Sequence, residues 1–177
     1  IKPGDFVVCD QFFNFTNKRE DTFFDGEKTK PGFGGVVHIS SADLYCLKLR
    51  RNACKLCGSL KIPHHKKGTV FVVEGPRFSS RAESKHFSAI GDVINMTAYP
   101  EVVLARELGM CYVNISLVTD YDVGLEGKKI KPVTASEVVK IFNKNNEKVK
   151  KLIFKMIEKM PEERKCDCQN ALDNAFI

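Results

Sequence analysis

Four short runs of apolar residues along the chain predict buried β-strands. They span residues 5–10, 68–73, 89–96 and 110–118, and the second run is rich in β-branched residues. Apolar positions in these runs follow one another without strict alternation, which is typical of strands that are covered on both faces. The pattern therefore indicates an internal sheet.

Helical spacing of apolar residues fills the stretches between these strands. One helix is predicted over residues 43–57, and a second opens at Ser80, where Glu83 completes a capping box. A third helix spans residues 100–108, and the longest covers residues 136–160. Because strands and helices alternate along the chain, the pattern predicts an α/β fold.

The last predicted helix also carries much of the basic charge of the chain. Its lysines are interleaved with glutamates, and its apolar residues form one stripe: Val138, Val139, Phe142, Val149, Leu152, Ile153, Met156 and Met160. That pattern favours a helix that buries one face and solvates the other. We therefore assign the net charge of +6 to a solvated surface and expect no nucleic-acid partner.

Residues 10–35 differ from the rest of the chain. They are rich in aromatic residues and glycine but show no clear period. A long segment of this kind is often a functional loop or an interface. We therefore expect it to contribute to a site or to contact another subunit.

Composition places the chain among globular proteins. Of its 177 residues, 43% are hydrophobic and 28% are charged, and we expect a single domain over residues 1–177. Apolar runs stay well short of the roughly 18 residues that span a bilayer, and the start shows no signal-peptide pattern. These features predict a cytoplasmic protein without membrane contact.

The chain contains seven cysteines, which is many for its size. Disulfides of the kind that hyperthermophiles keep inside the cell and a zinc site are the two explanations. A zinc-dependent nucleic-acid-binding module would draw its ligands from Cys54, Cys57, His64, His65, Cys166 and Cys168. The spacing argues against that class, because Cys54 and Cys57 fall inside a predicted helix and no second pair of that kind follows. We therefore expect no bound metal.

Polar segments at the carboxyl ends of three predicted strands are the candidates for chemistry, because ligands of open α/β sheets bind there. These segments are residues 74–84, 94–101 and 119–122. The first offers the flat ring of Phe78, and the second offers the amide of Asn95 beside free backbone groups. Such groups suit a small polar ligand that has an aromatic face.

The third segment holds two carboxylates. Asp120 and Asp122 are two residues apart, so in an extended segment they point to the same side. Taken singly, each candidate has a plainer explanation. Phe78 fits a core aromatic, and Asn95 and Thr97 fit turn and capping chemistry. The two carboxylates fit a solvated loop or an ion pair with arginine.

Taken together, the three segments resemble the methylthioadenosine phosphorylase branch of the purine nucleoside phosphorylase family. The resemblance begins at residues 3–5 and 10–12 and continues through the last helix. It implies a phosphorylase/hydrolase-like α/β fold with a twisted central mixed β-sheet flanked by helices. Members of the family start well before the position of Ile1, so we expect this chain to be the C-terminal portion of the domain. Most of the phosphate site would then lie in the part that precedes it.

The resemblance also implies a role for each matching residue. Asp120 is expected to be the general acid, and Thr97 is expected to contact phosphate. The expected nucleoside contacts are Phe78, Ile94, Asn95, Met96, Thr119 and Asp122, with Ala135, Val138 and Val139 around the 5′ position and His38 reaching a nucleoside in a neighbouring subunit. The apolar side chains of Val138 and Val139 suit a methylthio group better than a hydroxyl.

The reaction that the resemblance implies is phosphorolysis of 5′-deoxy-5′-methylthioadenosine to adenine and 5-methylthioribose 1-phosphate. Phosphate is the second substrate, and no cofactor is expected. Phosphate attacks the anomeric carbon while a protonated Asp120 neutralises the charge that develops at N7 of the leaving adenine. The alternative is a purine nucleoside phosphorylase that is either broad in range or specific for 6-oxopurine nucleosides such as inosine and guanosine. Its members usually carry asparagine at the base-facing position, so Asp120 and Asp122 argue against it.

Three further expectations come with the resemblance. The first is a homo-oligomer, either a trimer or a dimer of trimers, whose small-molecule partners are the nucleoside and phosphate. The second is a thermophilic archaeal source. The third is a disulfide between Cys166 and Cys168, which form a Cys-Asp-Cys sequence as in archaeal relatives.

Overall fold

The computed structural model describes residues 1–26, 32–124 and 130–177. Strands and helices alternate in it, which confirms the predicted α/β class. The strands are β1 (Phe6–Val8), β2 (Gln11–Phe15), β3 (His64–His65), β4 (Thr69–Val73), β5 (Val93–Asn95) and β6 (Ile115–Leu117). The helices are α1 (Leu47–Ser59), α2 (Arg81–Ser88), α3 (Ala98–Glu107) and α4 (Ala135–Glu158), followed by a 3-10 turn over Asp167–Asn170.

The strands form two three-stranded sheets, whereas a single central sheet was expected. In the first sheet β1 lies in the middle, parallel to β3 and antiparallel to β6. In the second sheet β4 lies in the middle and is parallel to both β2 and β5. The chain passes from one sheet to the other at Cys9 and Asp10, whose backbone N–H groups bond the carbonyls of Asn114 and Gly68 at 3.0 and 3.1 Å.

Two hydrophobic cores meet at β1. Because successive side chains of a strand point to opposite faces, Val7 and Phe6 enter different cores. Val7 packs with Val70 and Val102 in the core between β4 and α3. Phe6 packs with Leu56 and Leu152 in the core between α1 and α4. The mixed sheet is thus covered on both sides, as the apolar run at residues 5–10 predicts.

The prediction that residues 10–35 lack regular structure is wrong at its start, because Gln11–Phe15 forms β2. The strand was missed because its phenylalanines lie on both faces and hide the period. Phe12 faces Tyr45 and Tyr99, while Phe13 stacks on Phe71 with ring centroids 4.9 Å apart. Residues 27–31 of this segment lie outside the described part of the chain.

Helix α1 begins and ends later than its predicted range of 43–57. The backbone N–H of Cys46 bonds the carbonyl of Tyr112 at 2.8 Å, so the residues before Leu47 are held by a neighbouring segment instead of a helical turn. At the other end the helix runs through Gly58 to Ser59. Lys61, with a φ of 54°, makes the left-handed turn that follows the helix.

Two of the predicted strands are shorter than their apolar runs. Residues 89–92 form the turn after α2, where the N–H of Gly91 bonds the carbonyl of Phe87 at 2.7 Å. Residues 110–114 bond singly to separate segments rather than to one partner strand. Apolar content therefore located both strands but extended over the packed turns beside them.

Helix α4 buries less of its apolar stripe than the sequence predicts. Leu152 is buried against α1, and Val149 and Met156 flank it. Val139, Phe142, Ile153 and Met160 are exposed within the described chain, because α1 covers only one side of the stripe. None of the described helices combines the length and the apolar content needed to cross a membrane.

Candidate active site

A cleft of about 420 Å³ lies between α2, β5 and the segment that follows β6. Four of the predicted site residues line it together: Ile94, Thr119, Asp120 and Asp122. Its other walls are an apolar floor that includes Phe87 and Val93 and a polar rim of side chains from α2. The structure thus brings the second and third predicted segments to one cavity, together with Arg81 and Ser84 of the first.

The two carboxylates in this cleft have different surroundings. Both oxygens of Asp120 are engaged: Oδ2 accepts from the Thr119 hydroxyl at 2.6 Å, and Oδ1 accepts from the backbone N–H of Asp122 at 2.7 Å. By contrast, Oδ2 of Asp122 is buried and has no hydrogen-bond partner within the described residues. Since a buried polar atom without a partner is costly, Asp122 is poised to accept a hydrogen bond from a ligand.

A tight turn fixes the position of Asp122. This residue has a φ of 53°, in the left-handed region, and its carbonyl accepts from the backbone N–H of Val133 at 2.8 Å. Two residues later, a Cβ on Gly124 would lie 2.3 Å from the carbonyl oxygen of Ile130, so a side chain there would displace the backbone. The turn presents the Asp122 carboxylate on a rigid support.

Strand β5 sends its two predicted site residues to different places. Ile94 lines the cleft, whereas Asn95 caps the turn into α3, where its Oδ1 accepts from the N–H of Ala98 at 3.3 Å. Thr97 occupies the N-cap position of α3 without a side-chain capping bond. The plainer capping explanation therefore applies to Asn95, while the exposed hydroxyl of Thr97 is available to a ligand.

Met96 lies between a glycine and an arginine that sequence reasoning missed. Its half-exposed side chain packs so closely on Gly75 that a Cβ there would lie 2.3 Å from the Met96 methyl carbon. Its carbonyl accepts from Nη1 of Arg19 at 2.6 Å. The same guanidinium reaches the carbonyl of Tyr99 at 2.7 Å and Glu74 at 3.4 Å. Arg19 therefore ties the end of β4 to the turn before α3.

Phe78 stands outside the cleft lining and is 48% exposed. The plainer explanation, that Phe78 is a core aromatic, is therefore wrong. The segment around it is ordered by the predicted capping box, in which Ser80 and Glu83 bond each other's backbone N–H. A hydrogen bond from Arg77 to Glu83 at 2.7 Å, followed by the bonds from Ser80, lowers the pKa of Glu83 to about 2. These contacts hold Phe78 at the surface.

The residues expected around the 5′ position also lie outside the cleft. Ala135 and Val139 are exposed and Val138 is half-buried, all in the first turns of α4. His38 is exposed too, and its backbone N–H bonds the carbonyl of Ala175 at 2.8 Å. Within the described chain these four residues therefore do not join the cleft that holds Asp120.

The rim of the cleft contains four residues of α2, of which Arg81 and Ser84 belong to the first candidate segment and Lys85 and Ser88 lie just beyond it. They share one face of α2 at intervals of three and four residues: Arg81, Ser84, Lys85 and Ser88. Arg81 also donates to the carbonyl of Val123 at 3.3 Å and so links α2 to the carboxylate turn. Helical periodicity starting from the capping box is the signal that could have found this face.

The predicted disulfide between Cys166 and Cys168 is not formed, and all seven cysteines are free. Cys166 and Cys168 instead join Cys46 and Cys111 in one cluster, whose four sulfur atoms lie within 4.8 Å of one another. The other residues of the zinc site that the spacing argued against belong to no such cluster within the described residues. They are Cys54, Cys57, His64 and His65. Among the described residues, this cluster has the composition and the spacing to hold a metal.

Comparison with known proteins identifies the relatives of this chain. Residues 1–158 match the phosphorylase superfamily. Over 99% of its length the chain is 54% identical to S-methyl-5′-thioadenosine phosphorylase of Pyrococcus abyssi and 42% identical to 6-oxopurine nucleoside phosphorylase of Pyrococcus furiosus. It covers 64% and 65% of those two proteins, so it spans just under two-thirds of their length.

Solved structures agree with the sequence relatives. Methylthioadenosine phosphorylase from Schistosoma mansoni in complex with adenine superposes with a TM-score of 0.82 at 30% identity, over 92% of this chain and 62% of that one. A mutant of the same enzyme in complex with methylthioadenosine gives 0.81 at 31% identity, over 92% and 60%. The fold described above thus recurs in a methylthioadenosine phosphorylase.

Proposed function

Because this chain belongs to the phosphorylase superfamily, we propose that the intact protein cleaves 5′-deoxy-5′-methylthioadenosine with phosphate. The products are adenine and 5-methylthioribose 1-phosphate. The observation that carries the proposal is the pair Asp120 and Asp122 on one wall of the cleft, with Oδ2 of Asp122 buried and without a partner in the described chain.

This pair complements the edge of a 6-aminopurine. The exocyclic amino group is a donor, and Oδ2 of Asp122 is an acceptor that lacks one. N7 is an acceptor, and a protonated Asp120 donates to it while still accepting from Thr119. As the glycosidic bond lengthens, negative charge grows on the base, and transfer of the Asp120 proton neutralises it. Phosphate completes the exchange by bonding to the anomeric carbon from the opposite face.

The remaining contacts are distributed around this pair. Ile94 supplies an apolar surface in the cleft, and the hydroxyl of Thr97 is free to bind phosphate. Phe78, Asn95 and Met96 form the neighbouring polar and aromatic surface, and Ala135, Val138 and Val139 provide the apolar surface for the methylthio group. His38 completes the site of an adjacent subunit in a trimer or a dimer of trimers. The reaction needs no cofactor, and we place the enzyme in the cytoplasm.

The second candidate substrate is a 6-oxopurine nucleoside, which the 42% identity to the Pyrococcus furiosus enzyme supports. A 6-oxo group is an acceptor and would face the Asp122 carboxylate, another acceptor. Such a mismatch leaves buried polar groups unpaired, and mismatches of that kind discriminate strongly between substrates. Asp122 therefore favours the 6-amino substrate.

The test is a side-by-side assay of the intact protein with methylthioadenosine and with inosine, each with and without phosphate. We expect release of adenine that requires phosphate, with a kcat/KM above that for hypoxanthine release from inosine. A preference for inosine would transfer the assignment to the 6-oxopurine class. Equal release without phosphate would indicate hydrolysis and contradict phosphorolysis.

A further inference from the structure

Four cysteine side chains from three separate stretches of the chain meet at one point. They are Cys46, Cys111, Cys166 and Cys168, and their sulfur atoms all lie within 4.8 Å of one another. The sulfur atoms of Cys111 and Cys166 lie 3.3 Å apart. This cluster lies apart from the cleft that contains Asp120 and plays no part in the proposed reaction.

We propose that these four cysteines bind one zinc ion as thiolates. Zinc is held tetrahedrally in closed structural sites, with zinc–sulfur distances of about 2.3 Å, which places neighbouring sulfur atoms about 3.8 Å apart. The 3.3 Å between Cys111 and Cys166 and the limit of 4.8 Å on all the sulfur separations lie on either side of that value. Small rotations about side-chain bonds therefore suffice to reach the coordination geometry. The sequence led us to expect no metal, and the cluster revises that expectation.

Backbone contacts assemble the ligands before any ion binds. Cys46 lies at the start of α1, and its N–H bonds the carbonyl of Tyr112, the residue next to Cys111. On the other side, Gly109, with a φ of 61°, lies against the backbone of Cys168 and Gln169, where an added Cβ would be 3.5 Å and 3.3 Å from the two carbonyl oxygens. The three stretches are thus docked together by contacts that do not involve sulfur.

Burial of the cluster suits a structural ion with an entry path. Cys46 and Cys168 are buried at 4% and 5% exposure, whereas Cys111 and Cys166 are half-buried. On binding, each thiol loses its proton to solvent and the four sulfur–zinc bonds form, with no oxidation or reduction. The resulting site carries a net charge of −2 in a chain whose net charge is +6.

The ion would anchor the C-terminal segment. The residues that follow Cys168 lead to Ala175, whose carbonyl accepts the N–H of His38, and to Phe176, which bridges to Val37. Holding the segment at Cys166 and Cys168 therefore also fixes the strand-like pairing beside His38. Zinc would stabilise this part of the fold whatever the substrate of the cleft.

The test is the metal content of the intact protein, purified anaerobically with reductant and without chelators. Elemental analysis by mass spectrometry should find about one zinc per chain. Replacement by cobalt should give the intense sulfur-to-cobalt absorption of a tetrathiolate site. The single variants Cys111→Ser and Cys166→Ser should each lose most or all of the zinc. Cys54→Ser and Cys57→Ser, which change cysteines outside the cluster, should keep it.

Two results would overturn the proposal. One is a zinc content that stays far below one per chain after zinc is added to the reduced protein, with the four thiols still free to react. The other is a pair of disulfides among these cysteines in protein kept under reductant, seen by mass spectrometry of peptides. Circular dichroism of each variant identifies any that simply fails to fold. Either result leaves the nucleoside assay unaffected, because the cluster is separate from the cleft.

Discussion

Arg19 donates a hydrogen bond to the carbonyl oxygen of Met96 at 2.6 Å, although the two residues are 77 positions apart in sequence. The same nitrogen bonds the carbonyl of Tyr99 at 2.7 Å, so a single guanidinium spans the turn that contains Thr97. Arg19 is largely buried, with 19% of its side chain exposed. It therefore acts as a positioning residue for the turn that faces phosphate and ribose in the proposed reaction.

Replacing this arginine should impair substrate binding without touching substrate. Arg19→Ala removes the hydrogen bonds to the carbonyls of Met96 and Tyr99, and a longer one to Val73, and so loosens the turn. We therefore expect kcat/KM for phosphate to fall roughly 10-fold to 100-fold, as small misplacements of positioning groups do. Arg19→Lys keeps one donor and should recover part of the loss. The measurement is steady-state kinetics of the intact enzyme with phosphate varied.

A matched control for Arg19 is Lys150→Ala, which removes an exposed ion pair with Glu147. Exposed pairs of this kind contribute little, so kinetics should stay at the wild-type level. If Arg19→Ala behaved like the control, the turn would be held by its own backbone and the positioning role would be wrong.

Asp120→Asn should slow turnover of methylthioadenosine by roughly 10²-fold to 10⁴-fold, the usual contribution of a positioned general acid. The amide keeps the shape of the carboxyl and its acceptor oxygen but has no acidic proton. Turnover of inosine should suffer less, because an amide can donate to a 6-oxo group, and the substrate ratio should move toward inosine. Kinetics with both nucleosides measure the two effects.

Asp122→Asn is the companion variant for Asp120. It removes the buried acceptor at Oδ2 but leaves the general acid, so it should raise KM for methylthioadenosine and lower kcat less than Asp120→Asn does. Unchanged kinetics in both variants would mean that the two carboxylates only shape the turn after β6. The cleft would then need another assignment.

Complementation between subunits tests the proposed role of His38. The side chain is exposed and remote from the cleft of its own chain, as a residue that serves a neighbour would be. We expect light scattering to give a trimer or a hexamer. Mixed oligomers of His38→Ala and Asp120→Asn subunits should regain activity, since some sites then combine an intact His38 with an intact Asp120. A monomer mass, or no recovery on mixing, would contradict this arrangement.

The hydrogen bond between Asp5 and His65 predicts a loss of stability in acid. Burial raises the pKa of the Asp5 carboxyl. Hydrogen bonds from His65 at 2.9 Å and from the N–H of Lys2 at 3.1 Å lower it by more, so the pKa lies below its usual value of 3.8. A depressed carboxyl pKa stabilises the fold above the unfolded value, and that contribution disappears as pH falls through the folded one.

Denaturant unfolding of the intact protein at a series of pH values checks this prediction. The free energy of unfolding should fall as pH drops below about 4. In Asp5→Asn the same curve should be flatter over that interval and lower near neutrality. Identical slopes for the two proteins would show that other carboxyls account for the acid sensitivity.

Local signals in the sequence carried most of what could be predicted. The capping box at Ser80 and Glu83 is present as written, because it depends only on residues three apart. Asp120 and Asp122 do line one cleft, but the extended segment assumed for them is wrong, because Asp122 has a φ of 53° and lies in a turn. The role of Arg19 could not be predicted, because its partners are backbone carbonyls distant in sequence. Every residue has a backbone carbonyl, so the sequence does not indicate which carbonyls bind an arginine.

Packing between distant segments explains the other differences. The strand Gln11–Phe15 has aromatic residues on both faces, so its alternation is invisible until β4 is beside it. The cluster around Cys46 joins residues more than a hundred positions apart, and a Cys-Asp-Cys sequence alone suggests a local bridge instead. Burial of α4 was overestimated, because amphipathic spacing does not specify how much of a stripe a neighbour covers.

The position of β1 between two cores has an evolutionary consequence. Phe6 belongs to the layer of α1 and α4, and Val7 belongs to the layer of β4 and α3, yet the two residues share one peptide bond. A substitution that moves this backbone to suit one layer shifts it against the other. Compensating changes must therefore arise in both layers together, and we expect this three-residue strand to diverge slowly.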